Sequence, residues 1–114
     1  MKTTKWGSLG FPLLILLITA CSKTSNESKA VDPLVAQGKA VYMSTCIACH
    51  NIDPKLPGSV GPDVAGSSYE LLFARITKAE YPDGYKPKRS SKMMPAFPQH
   101  EKDVKAIHVY LNSL

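Results

Sequence analysis

The sequence predicts a small all-α domain built on three main helices. Three observations point to it. Apolar residues recur at helical spacing in three stretches: one running toward Cys46, one from Tyr69 to Ile76, and one from Glu101 to Asn112. No strand-like run appears after the first twenty residues. Finally, Cys46-Ile47-Ala48-Cys49-His50 sets three ligating side chains in a single helical turn, where residues three and four apart share a face.

With 114 residues there is room for one domain. Lys and Arg outnumber Asp and Glu by 14 to 9, a formal charge of +5. Lys2 and Lys5 belong to a segment expected to be removed, which leaves twelve basic against nine acidic residues, or +3, on residues 21–114. A charge this small does not mark a nucleic-acid protein. The basic stretches also lack the interleaved aromatics on which single strands stack, so no nucleic-acid partner is expected.

Residues 1–20 start basic and continue into Phe11-Pro12-Leu13-Leu14-Ile15-Leu16-Leu17-Ile18. That apolar run is too short to span a bilayer and has the layout of a secretory signal. It ends in Ile18-Thr19-Ala20-Cys21, which resembles the lipobox of bacterial lipoproteins. The resemblance implies cleavage before Cys21 and lipid attachment at Cys21. An uncleaved anchor, or an ordinary signal peptide with an incidental cysteine, are the competing readings. Several acyl chains together hold a protein on a membrane where one is marginal. Residues 21–31 then read as a polar, flexible tether from lipidated Cys21, about ten residues reaching on the order of 17 Å as a random coil. The expected product is an exported, membrane-anchored lipoprotein facing the periplasm or cell exterior, with a folded domain over 32–114.

The first helix is expected to start at Asp32 as N-cap with Pro33 at the first helical position. Val35, Gly38, Val41 and Tyr42 follow at helical spacing. The helix leads into Cys46-x-x-Cys49-His50, the signature of covalent c-type haem attachment. Two thiols can close thioethers onto the macrocycle and leave the His50 imidazole as proximal iron ligand. Zinc would need a second ligand pair at suitable spacing, and His100 and His108 do not provide one. A thioredoxin-like redox pair would need a βαβ setting.

At this point the chain resembles a class I (mono-haem) cytochrome c, over residues 33–114. The resemblance implies three main helices wrapped around one covalently attached haem c. It also implies that Gly38 and Tyr42 pack against the C-terminal helix. The turn-rich loop after His50 contains Gly61-Pro62. In the family the carbonyl of such a proline accepts a hydrogen bond from the proximal histidine, which gives Pro62 that role here; a plain turn is the alternative. Metal-bound imidazoles generally need such a partner to fix ring orientation.

Ser67 and Glu70 are spaced as a capping box for the second helix. Tyr69, Leu72, Phe73 and Ile76 then form one apolar face. Residues 80–92 contain several breakers and no period, so they are expected to form a loop. Met93-Met94-Pro95-Ala96-Phe97 follows and resembles the family's distal-ligand loop, which makes Met94 the sixth ligand with Met93 as its rival. The last helix is expected from Glu101 to Asn112, with His100 standing where the family often caps with Ser. Val104, Ile107, His108 and Leu111 fall on one side.

Function follows from coordination. An iron held by both His50 and Met94 has no open position, and methionine ligation raises its potential. No activated nucleophile with a base and no clustered carboxylates accompany it, so the expectation is an electron carrier and not an enzyme. It would be a monomer passing electrons from a quinol- or substrate-oxidising complex to an oxidase or reductase. A dedicated cytochrome c subunit of a membrane oxidase or dehydrogenase complex is the alternative, ahead of a haem sensor or enzyme with a dissociable Met94. Lys86, Lys88, Arg89 and Lys92 precede the methionine loop, where they either steer the protein toward an acidic partner or form a solvated loop.

Overall fold

A computed structural model describes residues 30–114. The expected signal segment, Cys21 and most of the tether lie outside the described residues. Helix α1 spans Pro33–Val41 and continues through a π-helical turn over Tyr42–Cys46. Helix α2 spans Tyr69–Lys78, a 3₁₀ turn covers Pro98–Asp103, and α3 spans Val104–Asn112. The described residues contain no strand, as the sequence led us to expect. No helix among them is long and apolar enough to cross a membrane.

The start of α1 follows the expected chemistry. Asp32 accepts a hydrogen bond from the Leu34 amide at 2.8 Å, and Pro33 opens the helix, where its missing N–H costs nothing. The helix then crosses α3 at Gly38. A Cβ on Gly38 would lie 2.0 Å from the Ala106 carbonyl oxygen and 2.8 Å from the Tyr110 Cβ. Gly38 therefore sets how closely the two helices approach. Beside it the rings of Tyr42 and Tyr110 sit 5.7 Å apart, and Tyr42 and Val104 are fully buried.

Helix α2 contributes Leu72 and Ile76 to the same core, while Tyr69 is exposed and meets His108 edge-on at 5.9 Å. Its cap differs from the expected capping box. Ser68, not Ser67, is the N-cap and accepts from the Leu71 amide at 3.3 Å. Ser67 is committed elsewhere: its hydroxyl donates to the Val64 carbonyl at 2.7 Å, and its own carbonyl accepts from Asn112 at 3.0 Å. Glu70 thus falls one position short of the reciprocal contact. The helix ends at Ala79, whose φ of 57° is left-handed.

The last helix also begins later than expected, at Val104. Pro98 starts a 3₁₀ turn, and Asp103 at the junction makes no side-chain cap. Its carboxylate is occupied by Gln37 Nε2 at 3.1 Å and His100 Nδ1 at 3.0 Å. From Val104 onward Ala106, Ile107, Tyr110 and Leu111 are buried.

Candidate haem site

The motif forms the turn its spacing predicts. The amides of Cys49 and His50 both donate to the Cys46 carbonyl, at 3.2 and 2.9 Å. Cys46 and Cys49 are free thiols, and both line a crevice enclosing about 1250 Å³, counting space open to solvent. Burial, with Cys49 alongside, pushes the Cys46 thiol up to about 11. It is therefore protonated at neutral pH, when the thiolate is the more reactive form.

His50 enters the same crevice with its ring fixed from two sides. Nδ1 lies 2.8 Å from the Pro62 carbonyl oxygen. A carbonyl only accepts, so Nδ1 carries the ring proton and Nε2 keeps its lone pair for a metal. Beneath the ring, Gly61 approaches so closely that a Cβ would meet ring atoms at 2.4 to 2.8 Å. Gly58 is equally constrained, with Cys49 O 2.3 Å from where its Cβ would be. The Cys49 carbonyl accepts from the amides of Val60 and Gly61 at 3.2 and 2.9 Å, which ties the loop back onto the motif. Tyr42 anchors the other end, its hydroxyl donating to the Asn51 carbonyl at 2.6 Å.

Met94 is half-buried and lines the crevice, whereas Met93 is 71% exposed and does not. The apolar wall includes Leu72 and Ile76 from α2 and Ile107 and Leu111 from α3. Cys46, Cys49, His50, Pro62 and Met94 thus all face one largely apolar cavity. Among the described residues no three His, Cys, Asp or Glu side chains cluster as they would around a bare metal ion.

The sequence reading assigned no part in the crevice to Arg75, Tyr81 or Tyr85, yet all three line it. The Arg75 guanidinium stacks 4.3 Å over the Tyr81 ring and donates to the Ala79 carbonyl, and Tyr81 stacks on Tyr85 at 5.4 Å. Two tyrosines four apart in a stretch without period were the only signal available. Of the four basic residues in this loop, Lys88 is paired with Asp63 and Arg89 lines the crevice, while Lys86 and Lys92 are exposed. His100 also lines the crevice, with its ring engaged by Asp103 and by Thr45 Oγ1 at 3.3 Å.

Two thiols, an imidazole with a fixed tautomer and a thioether around an apolar crevice are the donor set of a covalently held haem. A protein-family model described as cytochrome c oxidase, cbb3-type, subunit III, matches residues 33–111. The chain belongs to this family of c-type cytochrome domains. A c-type cytochrome domain binds haem c and performs haem-based electron transfer, and the three-helix all-α fold is that of a small cytochrome c. No curated protein and no solved structure matches the cytochrome chain.

Proposed function

We propose that Cys46 and Cys49 would attach a single haem whose iron His50 and Met94 would ligate, and that this cytochrome transfers one electron at a time between respiratory redox partners. The observation that carries the reading is the convergence of those four side chains on one crevice while Met93 stays outside it. When bound, the haem supplies the one-electron Fe(III)/Fe(II) chemistry. The chain's own residues hold and insulate it. Pro62 orients His50 through its Nδ1 proton, Gly61 leaves room for the imidazole, and the apolar wall excludes water. Excluding water and hard oxygen donors suits a soft thioether ligand.

Lipidation at Cys21 would tether the domain to a membrane after export, which keeps it near membrane-bound donors and acceptors. The reading rests on the lipobox-like Ile18-Thr19-Ala20-Cys21. A second reading is that the protein is a dedicated subunit of an oxidase complex, not a free carrier. The family's description as an oxidase subunit favours it. Gentle detergent extraction separates the two: a subunit co-purifies with a larger haem-containing complex, and a carrier elutes alone.

Intact mass and haem staining after denaturation test the attachment. The matured protein is expected to retain one haem, and Cys46→Ser/Cys49→Ser to lose it. Retention of haem by the double variant would contradict the assignment. Incorporation of labelled fatty acid that disappears in Cys21→Ala tests the anchor.

A further inference from the structure

Residues 86–96 carry the proposed sixth ligand through a stretch without regular structure. Beyond it, the Phe97 amide donates to the Ile76 carbonyl at 2.6 Å and fixes the chain to α2. Within it, among the described residues, only Lys88 makes hydrogen bonds to another part of the fold. Its Nζ donates to the backbone carbonyl of Asp63 at 3.1 Å and to the Asp63 carboxylate. Met93 makes only a local contact, from its amide to Ser91 Oγ at 3.4 Å. Asp63 directly follows Pro62, the residue whose carbonyl holds His50.

We propose that the Lys88–Asp63 pair is a latch that ties the Met94 loop to the His50 loop and keeps Met94 seated in the crevice. The inference rests on the proposed His50/Met94 ligation. Lys88 is a positioning residue: it reaches across 25 residues and joins the segments that carry the two proposed iron ligands, His50 and Met94. Its two acceptors differ in kind. The backbone carbonyl fixes where the ammonium sits, and the carboxylate supplies charge. Both partners are partly exposed, with side chains 47% and 40% accessible, so the pair is salt-sensitive and its effect modest. A modest latch is the useful kind here, because it governs how often the loop opens without determining whether the domain folds.

The test is the rate at which neutral imidazole, added at about pH 8, replaces the native sixth ligand in the haem-loaded ferric protein. That rate is limited by departure of the sixth ligand, and an uncharged probe is not steered by the lost lysine charge. Lys88→Gln and Asp63→Asn are expected to speed replacement roughly two- to five-fold. Lys88→Arg, which keeps the charge and reach, is expected to stay near the wild-type rate. Raising salt to about 1 M is expected to bring the wild type toward Lys88→Gln and to leave that variant unchanged. A Lys88→Gln rate equal to wild type, with Met94→Ala faster than both, would overturn the latch and leave the ligation reading standing. If Met94→Ala itself reacts at the wild-type rate, Met94 is not the ligand and the latch falls with it.

Discussion

Gly61 lies directly under the His50 ring, where a Cβ would come within 2.4 Å of Cε1 and 2.6 Å of Nδ1. The next residue, Pro62, accepts the Nδ1 proton at 2.8 Å. One dipeptide thus provides both the floor of the imidazole and its hydrogen-bond acceptor. The Gly61-Pro62 pair acts as a unit: the glycine admits the ring, and the proline carbonyl orients it.

Gly61→Ala is accordingly expected to push the ring off the Pro62 carbonyl and weaken the iron–imidazole bond. Loss of partners that orient a metal ligand typically costs 10- to 100-fold in affinity or activity. In the haem-loaded protein the predicted signs are a mixed-spin ferric spectrum and a shifted reduction potential. A spectrum and potential identical to wild type would mean that the loop relaxes around the methyl group.

Gly38→Ala tests the helix crossing. Alanine is the better helix former by about 1 kcal/mol. Its Cβ would nevertheless sit 2.0 Å from the Ala106 carbonyl oxygen, and overpacking of a tight contact costs about 1–3 kcal/mol. The steric cost wins because backbone, not a mobile side-chain end, is in the way. The net cost is up to about 2 kcal/mol, so the melting temperature is expected to fall, by as much as about 8–16 °C. A rise would show that α1 and α3 can separate without loss.

Tyr42→Phe removes the donor to the Asn51 carbonyl and is expected to cost about 1–2 kcal/mol. The pH dependence carries a sign. Burial chiefly, with added repulsion from Cys46, Tyr110 and Asp53, raises the Tyr42 pKa above its ordinary 10.0. Its contribution is present below the unfolded value and is lost as pH rises toward the folded one. Denaturant midpoints measured between about pH 8 and 11 should therefore fall at the alkaline end in wild type and fall less in Tyr42→Phe. Parallel curves for the two proteins would remove Tyr42 as the cause.

Much of this arrangement was legible because its signals are local. Asp32-Pro33 announces a helix start and C-x-x-C-H announces a helical turn of ligating groups, whereas Met94-Pro95-Ala96-Phe97 was legible only through its resemblance to the distal-ligand loop of class I cytochromes c. Elsewhere, distant residues decided between local options. Spacing favours Ser67 as the cap, with Glu70 three residues on, but its bonds to Val64 and Asn112 commit it elsewhere and Ser68 caps instead. Helix α3 starts at Val104 after a 3₁₀ turn, and Gln37 and His100 claim the Asp103 carboxylate that would otherwise be free to cap it. The Arg75–Tyr81–Tyr85 stack and the Lys88–Asp63 pair join segments whose approach is set by the whole fold, and no short pattern encodes either. Gly61 was visible as a turn former, but its contact with His50 appears only once the loop has closed.

The most direct test of the His50/Met94 assignment is an optical spectrum of the haem-loaded protein beside Met94→Ala and Met93→Ala. The account predicts a low-spin ferrous spectrum and a ferric sulfur-to-iron charge-transfer band. That band should be lost in Met94→Ala and kept in Met93→Ala. Survival of the band in Met94→Ala, or a high-spin wild type, would contradict it.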